Sequence, residues 1–171
     1  MHTYQELDSF EYWSITDKDQ FSISVLKGLI MDAVRKANSG HPGGAMSSAD
    51  FIYLLFKDYL KFDPKDPNWF DRDRFILSGG HMSMLQYSIL HLVGWMKLSE
   101  IKKFRQLGSK TPGHPEVEIP GVECTTGPLG QGFAMGVGMA LAEAYLSSLI
   151  SNDDKDSKKL IDHFTYVLAT D

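Results

Sequence analysis

The chain has 171 residues, with 17 basic against 22 acidic side chains, a formal charge of −5 and one cysteine. That length suits one domain able to bury roughly 70% of its unfolded surface, and the acidic balance without any basic run argues against nucleic acid as a partner. The lone Cys124 excludes an internal disulfide and a multi-cysteine metal cluster, while an acidic, aromatic N-terminus and no evident run of about 18 apolar residues predict a cytoplasmic protein with no membrane partner.

In chain order, Thr16 and Asp19 form a capping pair for a first helix, whose apolar positions Leu26, Leu29, Ile30, Ala33, Val34 and Ala37 recur at helical spacing. It is expected to stop near Asn38-Ser39-Gly40, and a second capping pair, Ser47 and Asp50, opens FIYLLFKDYL. His41 is therefore expected in a loop between two helices. Phe62 to Arg74 is charged, contains proline and reads as a surface connection. Phe75 to Leu77 is a short strand, followed by a Ser-Gly-Gly-His turn and a helix patterned at Leu85, Ile89, Leu92 and Val93, which puts His81 at the helix opening, where anions are favoured. A shorter helix is predicted over Ser99 to Leu107, with Gly108 after its end. The irregular passage from Gly108 to Gly130 is long enough to suggest a functional loop.

The stretch TTGPLGQGFAMGVGMALA, from Thr125 to Ala142, is a turn-rich loop that empties into a helix of small residues. Its glycines let a ligand approach bare backbone, and a helix N-terminus favours a phosphate without any basic side chain. Gly136 and Gly138 each cost about 1 kcal/mol relative to Ala in an exposed helix. A smooth face of Gly132, Gly136 and Ala140 would offset that by admitting another backbone closely, either within the chain's own core or across a subunit contact. Ser151 to Lys159 is a solvated charge cluster, Phe164 to Ala169 reads as a buried strand, and the sequence ends at Asp171 just past it. Open α/β sheets place ligands at such strand ends, so the chain is expected to be cut short there.

Three of the six histidines, His41, His81 and His114, each follow a glycine in a turn, two of them as Gly-His-Pro. A loop histidine beside bare backbone can act as donor, acceptor or proton carrier near neutral pH. His2, His91 and His163 read as packing or surface residues. A three-histidine zinc site is the rival reading, although no spacing matches a known ligand pair. Asp171 at a strand end suits Mg²⁺ held mainly through ligand phosphates.

KANSGHPGGAMSSADFI, DRDRFILSGGHMSMLQYSILHLVG, KTPGHPE and GVECTTGPLGQGFAMGVGMA, in that order, resemble the N-terminal part of transketolases, which are thiamine-diphosphate enzymes. Related ketol-transferring enzymes such as dihydroxyacetone synthase share much of the pattern. The resemblance implies an α/β fold, an incomplete diphosphate-binding (PP-type) domain with a parallel sheet flanked by helices and a helix-rich N-terminal side, with residues 1–171 forming the N-terminal part of one domain. It implies that His81 and the Gly127-Pro128-Leu129 loop face thiamine diphosphate, and that His41 and His114 face the sugar phosphate substrate as catalytic residues. Asp171 would be the aspartate of the Gly-Asp-Gly metal motif, binding Mg²⁺ or Ca²⁺. It further implies two-carbon ketol transfer by a homodimer, with residues 1–171 inactive alone for want of the remaining metal ligands and the pyrimidine-binding domain. A noncatalytic association module is the runner-up. One residue departs from the family pattern at the metal motif: Thr170 stands where Gly is usual.

Overall fold

The computed structural model of the chain describes residues 7–150 and 160–170. Helix α1, Ile15–Ala37, follows the predicted period, burying Leu26, Ile30 and Ala33. Its cap lies two residues before the expected pair. The Ser14 hydroxyl accepts from the Asp17 amide at 3.1 Å and donates to the Asp17 carboxylate at 2.6 Å, so the Ser/Asp spacing is the one read from sequence but set earlier. Asn38, left-handed at φ 49°, ends the helix by donating its backbone N–H to Arg35 O.

The second expected helix also begins early. Pro42 occupies the first helical position of α2, Pro42–Ser47, where its missing N–H costs nothing. Ser48 then leads into α3, Ala49–Leu54, and a π-helical turn, Leu55–Tyr59. The Ser47–Asp50 pair does not cap: Ser48 makes no side-chain cap bond, and the Ser47 hydroxyl donates back to Gly44 O.

Strand β1, Arg74–Leu77, runs parallel to β2, Thr165–Leu168, with Arg74 opposite Thr165 and Leu77 opposite Leu168. Between them lie a 3₁₀ turn at Gly80–Met82, α4 (Ser83–Leu92), α5 (Leu98–Ile101) and α6 (Gln131–Ile150). The strand period sorts the layers. Phe75 and Leu77, with Tyr166 and Leu168 beside them, join the cluster built by α1 through α4, whereas Ile76 and Val167 face α6. Helix α4 is the centre of that cluster, with every residue from Ser83 to Leu90 buried. Strand β2 is only half-buried rather than buried as read from sequence, because β1 is its one hydrogen-bonded neighbour among the described residues.

Two further expectations change. The helix predicted over Ser99 to Leu107 closes at Ile101, and Arg105 then takes a left-handed φ of 58° to donate its backbone N–H to Thr111 O. Of the smooth face of α6, Gly132 and Gly136 turn inward while Ala140 stays exposed. A Cβ on Gly132 would meet the Ser78 Cα at 2.7 Å, and one on Gly136 would run into Val167, so these glycines let α6 lie directly on both strands of its own sheet. Phe133, Val137, Leu141, Tyr145 and Leu149 remain exposed on the other side. Helix α6 is also long and apolar enough, by length and composition alone, to cross a membrane. The sequence reading missed this because Gln131, Glu143 and the serines interrupt the run.

Candidate functional site

The backbone leaving β1 keeps the strand pairing for one more residue, with Ser78 N–H donating to Leu168 O at 3.0 Å, and then turns sharply through Gly79 and Gly80. No side chain fits at Gly80. A Cβ there would lie 2.6 Å from Thr126 Oγ1 and 2.8 Å from the Gly127 amide, so the turn after β1 and the loop before α6 rest backbone against backbone. Ser78 locks the second contact, its hydroxyl accepting from the Phe133 amide at 3.0 Å in the first turn of α6. One of the free donors expected there for an anion is thus already used.

His81 leaves this turn half-buried, and His41 reaches it from the start of α2, the two rings meeting edge to face with centroids 5.3 Å apart. The peptide before His41 is held by packing: Gly40 has φ 138°, and a Cβ on it would press on Phe104 at 3.0 Å and on Val34 at 3.1 Å.

His114 comes from a turn that α4 holds by its carbonyls. Ser83 Oγ donates to Gly113 O at 2.9 Å, and the Tyr87 hydroxyl is shared between Pro112 O at 3.0 Å and His114 O at 3.1 Å. Tyr87 is fully buried, and desolvation raises its pKa, so the hydroxyl remains a donor. The long passage then folds back on itself, with Thr126 N–H donating to Pro115 O and Val117 N–H to Thr125 Oγ1. That return brings Gly127 against His114, where a Cβ would sit 3.3 Å from the ring's Cδ2. Although His114 keeps solvent access, partial desolvation first, then the Arg105 charge and the neighbouring His41 and His81, hold its pKa below the ordinary 6.5. At neutral pH it is an uncharged imidazole.

The structure therefore brings together His41, His81, His114 and Gly127 at the carboxyl ends of two parallel strands, while Pro128 and Leu129 lie exposed on the loop beside them. Asp171 and His2 lie outside the described residues. Among those described, no three His, Cys, Asp or Glu side chains are placed to hold one metal ion, and the three-histidine zinc geometry does not form. His91 pairs with Met96 O at 2.8 Å and His163 with Asp71 at 3.3 Å, both packing roles. Sequence reasoning missed Ser78, Ser83, Tyr87 and Arg105. No local signal marks them, since Tyr87 stands 25 and 27 residues from the carbonyls it holds.

Thiamine diphosphate, which the resemblance implies, fits the groups present. The buried hydroxyls Thr126 Oγ1 and Thr170 Oγ1 have no hydrogen-bond partner among the described residues, and they flank Gly80 and Gly79 respectively. Unsatisfied buried donors beside bare glycine backbone at strand carboxyl ends suit a phosphorylated ligand.

The family model described as transketolase, thiamine diphosphate binding domain, matches residues 18–171. Transketolase of Staphylococcus epidermidis is 54% identical over 156 residues, 91% of this chain and 23% of that protein. Transketolase 2 of Escherichia coli is 57% identical over 150 residues, 86% of this chain and 22% of its own length. Among solved structures, a Pichia stipitis transketolase in complex with sedoheptulose-7-phosphate superposes with a TM-score of 0.83 at 49% identity, covering 88% of this chain and 22% of that one. Transketolase from Leishmania mexicana gives 0.83 at 43% identity over the same shares. The chain thus spans under a quarter of the relatives it matches. The match nevertheless takes in β1, β2 and every histidine of the cluster, and the chain belongs to the transketolase family, through its thiamine diphosphate binding domain.

Proposed function

We propose that this chain provides the diphosphate side of a thiamine-diphosphate transferase that moves a two-carbon ketol unit from a ketose phosphate to an aldose phosphate. The observation that carries the reading is the meeting of His41, His81, His114 and Gly127 at the ends of β1 and β2. When bound, the cofactor supplies the nucleophilic carbon and the electron sink for cleaving a carbon–carbon bond beside a carbonyl.

The chain's own residues bind and orient. His81, Thr126 and the Gly127-Pro128-Leu129 loop hold the cofactor, His81 on the diphosphate side. His41 and His114 face the sugar and hydrogen-bond its hydroxyl and carbonyl oxygens. The depressed pKa of His114 keeps it neutral at pH 7, able to donate at one nitrogen and accept at the other, which suits passing a proton to and from a sugar oxygen. Ser83 and Tyr87 fix the peptide that carries it.

Asp171 is the proposed ligand for Mg²⁺ or Ca²⁺, the working assembly a homodimer, and the compartment the cytoplasm. The test is a coupled ketol-transfer assay on the full reading frame that contains residues 1–171. Turnover that requires both thiamine diphosphate and a divalent cation is expected. Turnover unaffected by removing the cofactor contradicts the proposal.

A further inference from the structure

The two Gly-His-Pro turns lie far apart in the chain, one before α2 and one after α5, and a single side chain spans them. Arg105 Nη1 donates to Ser39 Oγ at 2.8 Å, two residues before His41. The same guanidinium lies flat against Gly113, the residue before His114, where a Cβ would meet Arg105 Nε at 3.1 Å and Cζ at 3.2 Å. Its backbone N–H donates to Thr111 O at 2.9 Å, which ties the base of the His114 turn to the same residue. Phe104 completes the coupling, since its ring lies under Gly40 while the Arg105 guanidinium sits 5.5 Å from its centroid.

This conformation has two costs. Arg105 takes φ 58°, uncommon for a residue with a side chain, and its Nε is buried without a partner among the described residues. A surface arginine does not need either. The left-handed backbone brings the Arg105 N–H to Thr111 O, and the buried Nε goes with the guanidinium lying against Gly113.

We infer that Arg105 is a positioning residue that sets the spacing between His41 and His114, and so the fit of the sugar substrate between them. The inference rests on the function proposed above. Lysine does not replace it, because a single ammonium cannot lie flat on Gly113 and reach Ser39 at once. The groups that face His114 are Arg105, His41 and His81, and Glu116 lines with it an open pocket of about 700 Å³. The charge of Arg105 therefore also disfavours protonated His114.

The test uses the full reading frame with Arg105→Gln, Arg105→Lys and Ser39→Ala. Arg105→Gln should raise the KM for the sugar about tenfold, with thiamine diphosphate affinity kept within about twofold. Ser39→Ala should raise KM in the same direction by less, which keeps the idea testable should Arg105→Gln fail to fold. Arg105→Lys should leave KM high yet restore the His114 titration, whereas Arg105→Gln should move that titration up toward 6.5 by NMR. Cofactor affinity falling in step with KM would overturn the inference. So would an unchanged KM in both Arg105→Gln and Ser39→Ala. If the parental protein shows no ketol transfer, the proposed function fails, and the NMR titration decides the Arg105 contact on its own: an upward move with Gln but not Lys upholds it, and no move ends it.

Discussion

The two Gly-His-Pro turns are alike in sequence and are built in different ways. The one at His41 is set largely by proline, with Arg105 bracing it at Ser39 and Phe104 at Gly40. Pro42 starts a helix, and the turn makes no side-chain cap bond. The one at His114 is tertiary, with the carbonyls of Pro112, Gly113 and His114 all taken by Ser83 and Tyr87 of α4. A turn started by proline geometry leans less on the rest of the fold than one whose carbonyls all hang from a buried helix's side chains.

The largest expected effect breaks the tertiary turn. Tyr87→Ala removes a fully buried aromatic and both carbonyl contacts, and should destabilise the chain by about 3–5 kcal/mol in urea unfolding. Tyr87→Phe isolates the hydroxyl and should cost about 1–3 kcal/mol by leaving two carbonyls unpaired. Equal stability of Tyr87→Phe and the parent would show that water satisfies those carbonyls.

Next comes the floor on which both turns stand. Gly80→Asn puts a side chain where a Cβ would press on Thr126 and on the Gly127 amide. It should destabilise by roughly 1–3 kcal/mol, because backbone rather than a flexible side-chain end must move. A gain in stability from the same change, in the same unfolding experiment, would contradict the packing described between these two loops.

Smaller still is the turn at His41. Pro42→Ala should cost about 0.4–1 kcal/mol, mainly by freeing the unfolded chain, with no change in the His114 NMR environment. A loss as large as that of Tyr87→Ala would erase the distinction between the turns.

Smallest is the pH response of His114. Its folded pKa lies below the unfolded value of 6.5, so above 6.5 it contributes nothing to the pH dependence. As pH falls through 6.5 the unfolded chain takes the proton first, and stability declines until the folded pKa is reached. NMR titration should place the His114 midpoint below 6.5, and a midpoint above it would show that the ring gains a negative partner instead.

The difference between the turns also explains what sequence could reveal. Helix α1, strands β1 and β2 and the glycine helix α6 are written in local period, so their existence was legible. The first cap was misplaced by two residues because Ser14 and Asp17 carry the same spacing as Thr16 and Asp19. The helix after Ser99 was drawn too long because its stop is tertiary: Arg105 leaves helical geometry to meet Thr111. The small-residue face of α6 was visible, but not which surface it meets, since Ser78 and Val167 lie far off in sequence. His41, His81 and His114 stood out by their glycines. Ser83, Tyr87 and Arg105 did not, because nothing near them in the chain signals the carbonyls and hydroxyl they hold.

The central claim is that the histidine cluster divides its work between cofactor and sugar. The direct measurement is calorimetric titration of thiamine diphosphate, with Mg²⁺ present, into the full reading frame carrying His41→Ala, His81→Ala or His114→Ala. His81→Ala should weaken cofactor binding about tenfold or more, while His41→Ala and His114→Ala should keep it within about twofold and lose kcat/KM for the sugar instead. Equal loss of cofactor affinity in all three would contradict that division.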